Sequence, residues 1–322
     1  MDSIALQTLG TPVILFFILG MLAALARSEL SIPEAMAKGM SLYLMAAIGL
    51  KGGVAMAKSG VNGEVGLALL AGLTLSLTIP FLAWTLLRSF GRLSQVNAGA
   101  VAAHYGSVSV VTFVTASEIL KGGGIGPAGY MVAVLAVMET PAILSGLYLA
   151  RRGNKAAGQN GANLWREVFL NASVVLLLGS LAIGWITGPT RYEDVKPLFE
   201  GLFKGVLCLF LLDMGLIAAR RLMQSRAMTW QLVTLAIVFP LVNGGLGTLV
   251  GHSIGLDLGS TAALGVLCAS ASYIAVPAAM RLALPQADPG IYLTMSLSVT
   301  FPFNLIVNIG LITWLARALA AV

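Results

Sequence analysis

The chain has 322 residues, of which 58% are hydrophobic and 10% charged, and its formal net charge is +6. A soluble domain carries about 25% charged residues, so most of this surface must meet lipid rather than water. The positive balance does not indicate nucleic acid, because Lys and Arg form no single basic face and lie instead at the ends of apolar runs, as loops beside a membrane do.

A helix needs about 20 apolar residues to cross a bilayer. The spacing predicts ten spans, at 4–26, 36–57, 64–87, 96–119, 127–150, 167–187, 198–219, 228–250, 259–282 and 291–316. The first follows Asp2 with no basic leader, so it reads as a span and not as a cleaved signal peptide. Arg27-Ser28-Glu29, Lys58-Ser59-Gly60 and Gly91-Arg92 close the first three. The fourth is interrupted by Gly106-Ser107-Val108-Ser109. The fifth carries Met138-Glu139-Thr140-Pro141 and ends at Arg151-Arg152. A polar stretch from Gly153 to Asn163 follows, the one segment that looks like a boundary. It sets a linker at 153–165 between a first unit, 1–152, and a second, 166–322. In the second unit the ninth span is interrupted by Ala269-Ser270-Ala271-Ser272, and the tenth carries Phe301-Pro302-Phe303 between Thr300 and Asn304. Cys208 and Cys268 lie inside apolar runs, with no metal-ligand spacing and no disulfide framework.

The two units repeat one another. Leu19-Gly20 matches Leu178-Gly179, Ile48-Gly49-Leu50 matches Met214-Gly215-Leu216, and Ile79-Pro80-Phe81 matches Phe239-Pro240-Leu241. The two serine patches match, as do Thr140-Pro141-Ala142 and Phe301-Pro302-Phe303. Five matches in one order at nearly one offset point to duplication. Five spans per unit is an odd number, so the second unit enters the membrane from the other side and the repeat is inverted. With the N-terminus outside, twelve Lys and Arg fall in inside loops and six in outside loops, which favours both termini outside and a cytoplasmic linker. The expected fold is an all-α integral membrane protein with two broken helices meeting at mid-membrane.

A break at mid-membrane leaves backbone N–H groups free at the start of the second half-helix, and these attract an anion. Gly106 and Ala269 are small enough to let the chain turn or a ligand approach. Ser107, Ser109, Ser270 and Ser272 add hydroxyls that donate to an anion. The competing reading is close helix packing through small residues. Glu139 sits deep in the fifth span, where a carboxylate is costly and marks function by default. With Thr140 and the carbonyls freed by Pro141 it offers hard oxygen ligands for an alkali cation, and the other unit offers Thr300 and Asn304. A proton-carrying or purely structural Glu139 stands beside that reading. Asp213 has Lys51 as a candidate partner, since Ala47 aligns with Asp213 one turn before Lys51. His104 precedes the first patch, and Arg281 lies about two turns after the second, placed either to draw anions or to snorkel. No hydrolytic, redox or dinucleotide constellation assembles, and Gly122-Gly123-Gly124 lacks the strand before it and the Lys-Ser/Thr after it that a phosphate loop needs. The chain is not expected to be an enzyme or to need a cofactor.

At these residues the chain resembles the sodium-dependent bicarbonate transporter family of cyanobacteria and other bacteria, over essentially its whole length. The run Tyr105 to Thr112 takes the place of the family's first glycine-serine patch. Met138 to Ala142 takes that of its Met-Asp-Ile-Pro-Ala, with Glu139 for the aspartate, and Ala269 to Pro277 takes that of its second patch. Leu284-Pro285-Gln286-Ala287-Asp288-Pro289 takes the place of its proline-rich turn. The chain has Tyr273 where the family has an acid after the second serine run, and Val110, Val111, Ala271, Ala275 and Val276 where it has serines and glycines, which makes a drier site with fewer cation ligands. The resemblance implies an elevator-type carrier, with spans 3–5 and 8–10 as the moving core and spans 1, 2, 6 and 7 as the gate, assembled as a trimer in the inner membrane. It implies sodium-coupled bicarbonate uptake, with Gly106, Ser107, Val108, Ser109, Ala269, Ser270, Ala271, Ser272 and Tyr273 at the anion. Sodium would sit among Thr112, Glu139, Thr140, Thr300 and Asn304. The short linker gives no support for a PII-like regulatory partner. A carrier of small organic anions on the same fold, and a passive channel or receptor, are the alternatives.

Overall fold

The computed structural model describes residues 10–60, 63–152, 172–225 and 227–321, and over these it is helical with no strand. The linker expected at 153–165 lies outside the described residues. Among the described residues, helix covers part of each of the ten expected runs. Seven helical segments among these residues are long and apolar enough to cross a membrane. The other three fall short for separate reasons. α1 (Pro12–Leu25) has only 14 residues and starts after an extended Thr11. α9 (Phe203–Gln224) has the length but carries Lys204, Asp213, Arg220 and Arg221. The ninth run is split into α11 (Leu258–Ala269) and α12 (Ala275–Ala283).

The remaining elements are α2 (Glu34–Ser59), α3 (Gly63–Ser89), α4 (Gln95–Gly106), α5 (Val110–Gly122), α6 (Met131–Glu139), α7 (Pro141–Arg151), α8 (Ala172–Tyr192), α10 (Trp230–Ser253) and α13 (Pro289–Ala320). Their starts follow capping chemistry. Ser94, Thr229 and Asp257 accept from the backbone N–H three residues on, which satisfies one orphan donor at the head of α4, α10 and α11. The seventh run starts five residues later than 198, because a π-helical turn at Pro197–Gly201 precedes α9. α13 is continuous, but two π-helical stretches, Thr294–Thr300 and Asn304–Asn308, flank the turn that holds Pro302. Pro302 has no N–H to give and shifts the ladder around it.

Two helix pairs run parallel at backbone contact distance. A Cβ on Gly20 would lie 2.1 Å from the Leu212 carbonyl oxygen, and one on Gly215 2.2 Å from that of Phe17, so α1 and α9 touch through glycine. α2 and α8 do the same: a Cβ on Gly53 would lie 2.0 Å from the Leu181 oxygen, and one on Gly184 2.2 Å from that of Leu50. This small-residue contact is how membrane helices associate without a hydrophobic drive. Gly179, the sequence match of Gly20, faces nothing within 4 Å, and Gly184 makes the corresponding contact one turn later. A second group of helices packs beside these pairs: α3 lies against α4 and α7, and α10 against α11 and α13.

The ends of the helices sort by charge. Arg220 donates to the carbonyls of Ser28 and Leu30, Arg151 to that of Ala283, and the Asp288 N–H to Asn97, so these segments share one end. At the other end Glu118 pairs with Lys121 and Lys204 at 3.6 and 3.7 Å, and Tyr130 donates to Glu64. α1 therefore runs from the Lys204 end to the Arg220 end. α8, parallel to α2, runs the opposite way. Lys51 does not reach Asp213. It lies 3.8 Å over the Phe203 ring, ten residues before Asp213 on α9, or about 15 Å along the helix at 1.5 Å per residue. The pair expected from the alignment does not form because Lys51 belongs to the Glu118–Lys204 end.

Candidate substrate site between two broken helices

The fourth run, Gln95–Gly122, is buried without interruption from Ala98 to Ser117, and its break falls at Ser107-Val108-Ser109. Ser107 and Ser109 are extended, and the Ser109 hydroxyl accepts from the Thr112 N–H at 3.2 Å, which caps α5. The second break spans Ser270 to Ile274, and the Ser272 hydroxyl accepts from the Val276 N–H at 3.3 Å at the head of α12. Serine suits both places because its hydroxyl replaces the carbonyl that an unbroken helix would supply.

The two breaks bond directly to each other. The Ser109 N–H donates to the Ser270 hydroxyl at 2.9 Å, and the Ser272 N–H donates to the His104 carbonyl at 2.9 Å. Ser270 passes its own proton to the Leu267 carbonyl at 2.8 Å. Each break is also tied to the last span of its own half. Ser107 donates to the Glu139 carbonyl at 2.9 Å, and Asn304 donates to the Ala269 carbonyl at 2.8 Å.

Beside the crossing lies a small enclosed space, about 10 Å³, lined by Val108, Ser109, Glu139, Ser272 and Tyr273 and closed by Met45 of α2 and Ser173 of α8. Room of that order holds about one water-sized group. Two polar atoms here lack a well-formed hydrogen bond: Glu139 Oε2 and the Tyr273 hydroxyl, the latter interacting with the Ser109 side chain outside good hydrogen-bond geometry. Buried polar groups are normally paired, so two orphans facing one space mark a place prepared for something else. The N–H groups of Val110 and Val111 open α5 with no helix carbonyl before them, and Val110 lines the space.

Not every expected site residue reaches this space. The place of a Gly106 side chain is taken by the Pro80 ring, 2.3 Å from where its Cβ would stand. Glycine there lets α3 approach, which the sequence had assigned to a turn or a ligand. Ala269 and Ala271 are buried in apolar packing. Thr112 lies one turn into α5 and Thr140 at the joint of α6 and α7. Thr300 donates to the Ala236 carbonyl at 2.6 Å and meets the Tyr105 hydroxyl at 2.7 Å. Pro240 explains that bond, because it cannot supply the N–H that Ala236 would receive in an unbroken helix. Asn304 Oδ1 accepts from Asn308 at 2.8 Å, and Asn308 also reaches the Pro240 carbonyl. Thr300 and Asn304 thus hold α13 against α10 and the second break, while Glu139 faces the cavity.

His104 is fully buried, with Nδ1 bonded to the Ala100 carbonyl at 2.7 Å, its ring stacked on Tyr292 at 4.5 Å, and Nε2 unpartnered. Met45, Ser173 and Asn308 were not singled out in the sequence. The Asn304–Asn308 spacing of four, one face of a helix, was the available signal for the last. Met45 and Ser173 offer no local signal, since only the fold brings them to the cavity.

Helical segments that match membrane spans, around a buried polar crossing of two broken helices, define a multi-pass membrane protein of the transporter class. Residues 12–317 match the profile of the Na+-dependent bicarbonate transporter superfamily, and the chain belongs to that superfamily. It is a transporter and not an enzyme. No curated protein matches the chain.

Proposed function

We propose that the protein imports bicarbonate together with sodium, and that both bind at the crossing of the two breaks. The mutual hydrogen bonds of Ser109 with Ser270 and of Ser272 with His104, beside an unpartnered carboxylate, carry this reading. The anion would take the free N–H groups at the head of α5 and the hydroxyls of Ser109, Ser272 and Tyr273. Sodium would take Glu139, with Thr112 and Thr140 nearest to it along the chain. The space holds about one water-sized group and must widen for any cargo, by less for bicarbonate than for a larger organic anion.

The halves are read as an inverted repeat of five spans each. Support comes from the opposite directions of α1 and α8 and from the exchange of glycine contacts between α1–α9 and α2–α8. The cavity lies between α2 and α8 on one side and the broken helices on the other. That position fits a core of spans 3–5 and 8–10 sliding against a gate of spans 1, 2, 6 and 7. The charge count supports the reading that both termini lie outside, and an inner-membrane trimer is the assembly we propose. Uptake of labelled bicarbonate into proteoliposomes, competed with formate, acetate and pyruvate, tests the cargo. Inhibition by bicarbonate alone is expected, and stronger inhibition by a carboxylate would replace bicarbonate as cargo.

A further inference from the structure

A second chamber lies away from the crossing. It measures about 600 Å³ and is lined by Val13 of α1, Glu118 of α5, Lys204 and Cys208 of α9, and Thr313 and Arg317 of α13, among others. Lys204 with Cys208 and Thr313 with Arg317 are four residues apart, so each pair presents one helix face to the chamber. From Val110 at the crossing to Glu118 is eight residues of α5, about 12 Å at 1.5 Å per residue. The chamber therefore stands between the crossing and the Lys204 end of the molecule.

Its charge is unbalanced. Glu118 is shared by Lys121 and Lys204, and Lys51 lies within electrostatic range of both lysines, of Glu118 and of Glu200. Arg317 makes no salt bridge among the described residues. On the chamber wall itself two cations, Lys204 and Arg317, face one carboxylate, Glu118, with Lys121 and Lys51 close behind it. Helix ends do not offset this. The positive ends of α1 and α9 and the negative ends of α5 and α13 meet here and roughly cancel, which leaves the side chains to set the potential. The walls are mostly apolar and Glu118 is held within them, while Lys204 is 69% exposed and meets solvent at the mouth.

We propose that this chamber is an anion-holding vestibule, in which Lys204 and Arg317 bind a small oxyanion and Glu118 competes with it for Lys204. Its onward delivery to the crossing rests on the transport reading above; the binding does not. The headgroup of an anionic lipid shares this chemistry, so the experiment separates the two sources.

Cys208 lines the chamber and serves as the reporter, while Cys268 is 1% exposed and is removed as Cys268→Ala. The full chain in neutral detergent is labelled with the anionic sulfonatoethyl methanethiosulfonate and with the cationic trimethylammonioethyl analogue. Replacing Lys204 and Arg317 by Gln should lower the ratio of anionic to cationic rates by about tenfold, the factor that 1.4 kcal/mol of lost potential represents. Bicarbonate or phosphate should slow labelling of the unmodified chamber and not of the double variant. An unchanged ratio in Lys204→Gln/Arg317→Gln overturns the proposal. So does a Cys208 that neither reagent reaches until the protein is unfolded. Slowing by phosphatidylglycerol alone overturns it in favour of a lipid headgroup site. Labelling requires no transport, so a failed uptake assay and a failed vestibule give different results.

Discussion

The Ser270 hydroxyl oxygen, fully buried, accepts from the Ser109 N–H. Ser270→Ala should cost about 1–3 kcal/mol by orphaning that donor, read as a lower melting temperature in detergent, and should reduce uptake at least about tenfold. Unchanged melting would mean that the two breaks do not depend on each other. Tyr273 behaves differently, because its hydroxyl makes no well-formed hydrogen bond while its ring packs edge-on against Phe301. Tyr273→Phe should leave the stability within about 0.5 kcal/mol of wild type, as a substitution that removes no partner does. If the hydroxyl serves the anion, the half-saturation concentration for bicarbonate rises; if uptake is unaltered, Tyr273 is a packing residue. Glu139→Gln keeps the shape and removes the charge, and should abolish sodium dependence. The serines and Glu139 were legible as single residues, because hydroxyls and a carboxylate in an apolar run stand out. The division of labour among them was not. Thr300 and Asn304 look like cation ligands in sequence, and only the packing of α13 on α10 shows that they satisfy carbonyls freed by Pro240 and by the second break.

At the scale of elements, the parallel pairs α1–α9 and α2–α8 are set by glycines that leave no room for a methyl group. Gly20→Val and Gly184→Val would each force a Cβ to within about 2 Å of a backbone carbonyl. Overpacking of this kind costs about 1–3 kcal/mol or more, and each variant should melt lower or fail to fold. Gly179→Ala, facing nothing within 4 Å, is the control and should be neutral. Equal melting of all three would contradict the close crossings. Sequence matching paired Gly20 with Gly179 because repeats in so apolar a chain align on composition. The helix pair itself selects Gly184, whose missing side chain admits the Leu50 carbonyl. Broken helices were easier to place, since the serine patches mark them directly. The start of α9 was harder, because the apolar run continues through a π-helical turn whose ladder no residue pattern announces.

At the scale of the whole molecule, the Glu118–Lys204 ion pair joins α5 to α9, a core element to a gate element in the proposed division. Exposed ion pairs contribute little to stability, so this pair is better suited to being made and broken than to holding the fold. Cysteines at both positions, in a background without Cys208 and Cys268 and joined by a bifunctional thiol reagent cleavable by reduction, should stop uptake, and reduction should restore it. Uptake that continues with the link intact would show that these elements need not move relative to one another. The central claim is that the crossing couples sodium to bicarbonate. Its most direct measurement is uptake of labelled bicarbonate into proteoliposomes, with and without an inward sodium gradient. The account predicts accumulation above the external concentration that disappears when the gradient is collapsed. Uptake that proceeds equally without sodium would contradict it.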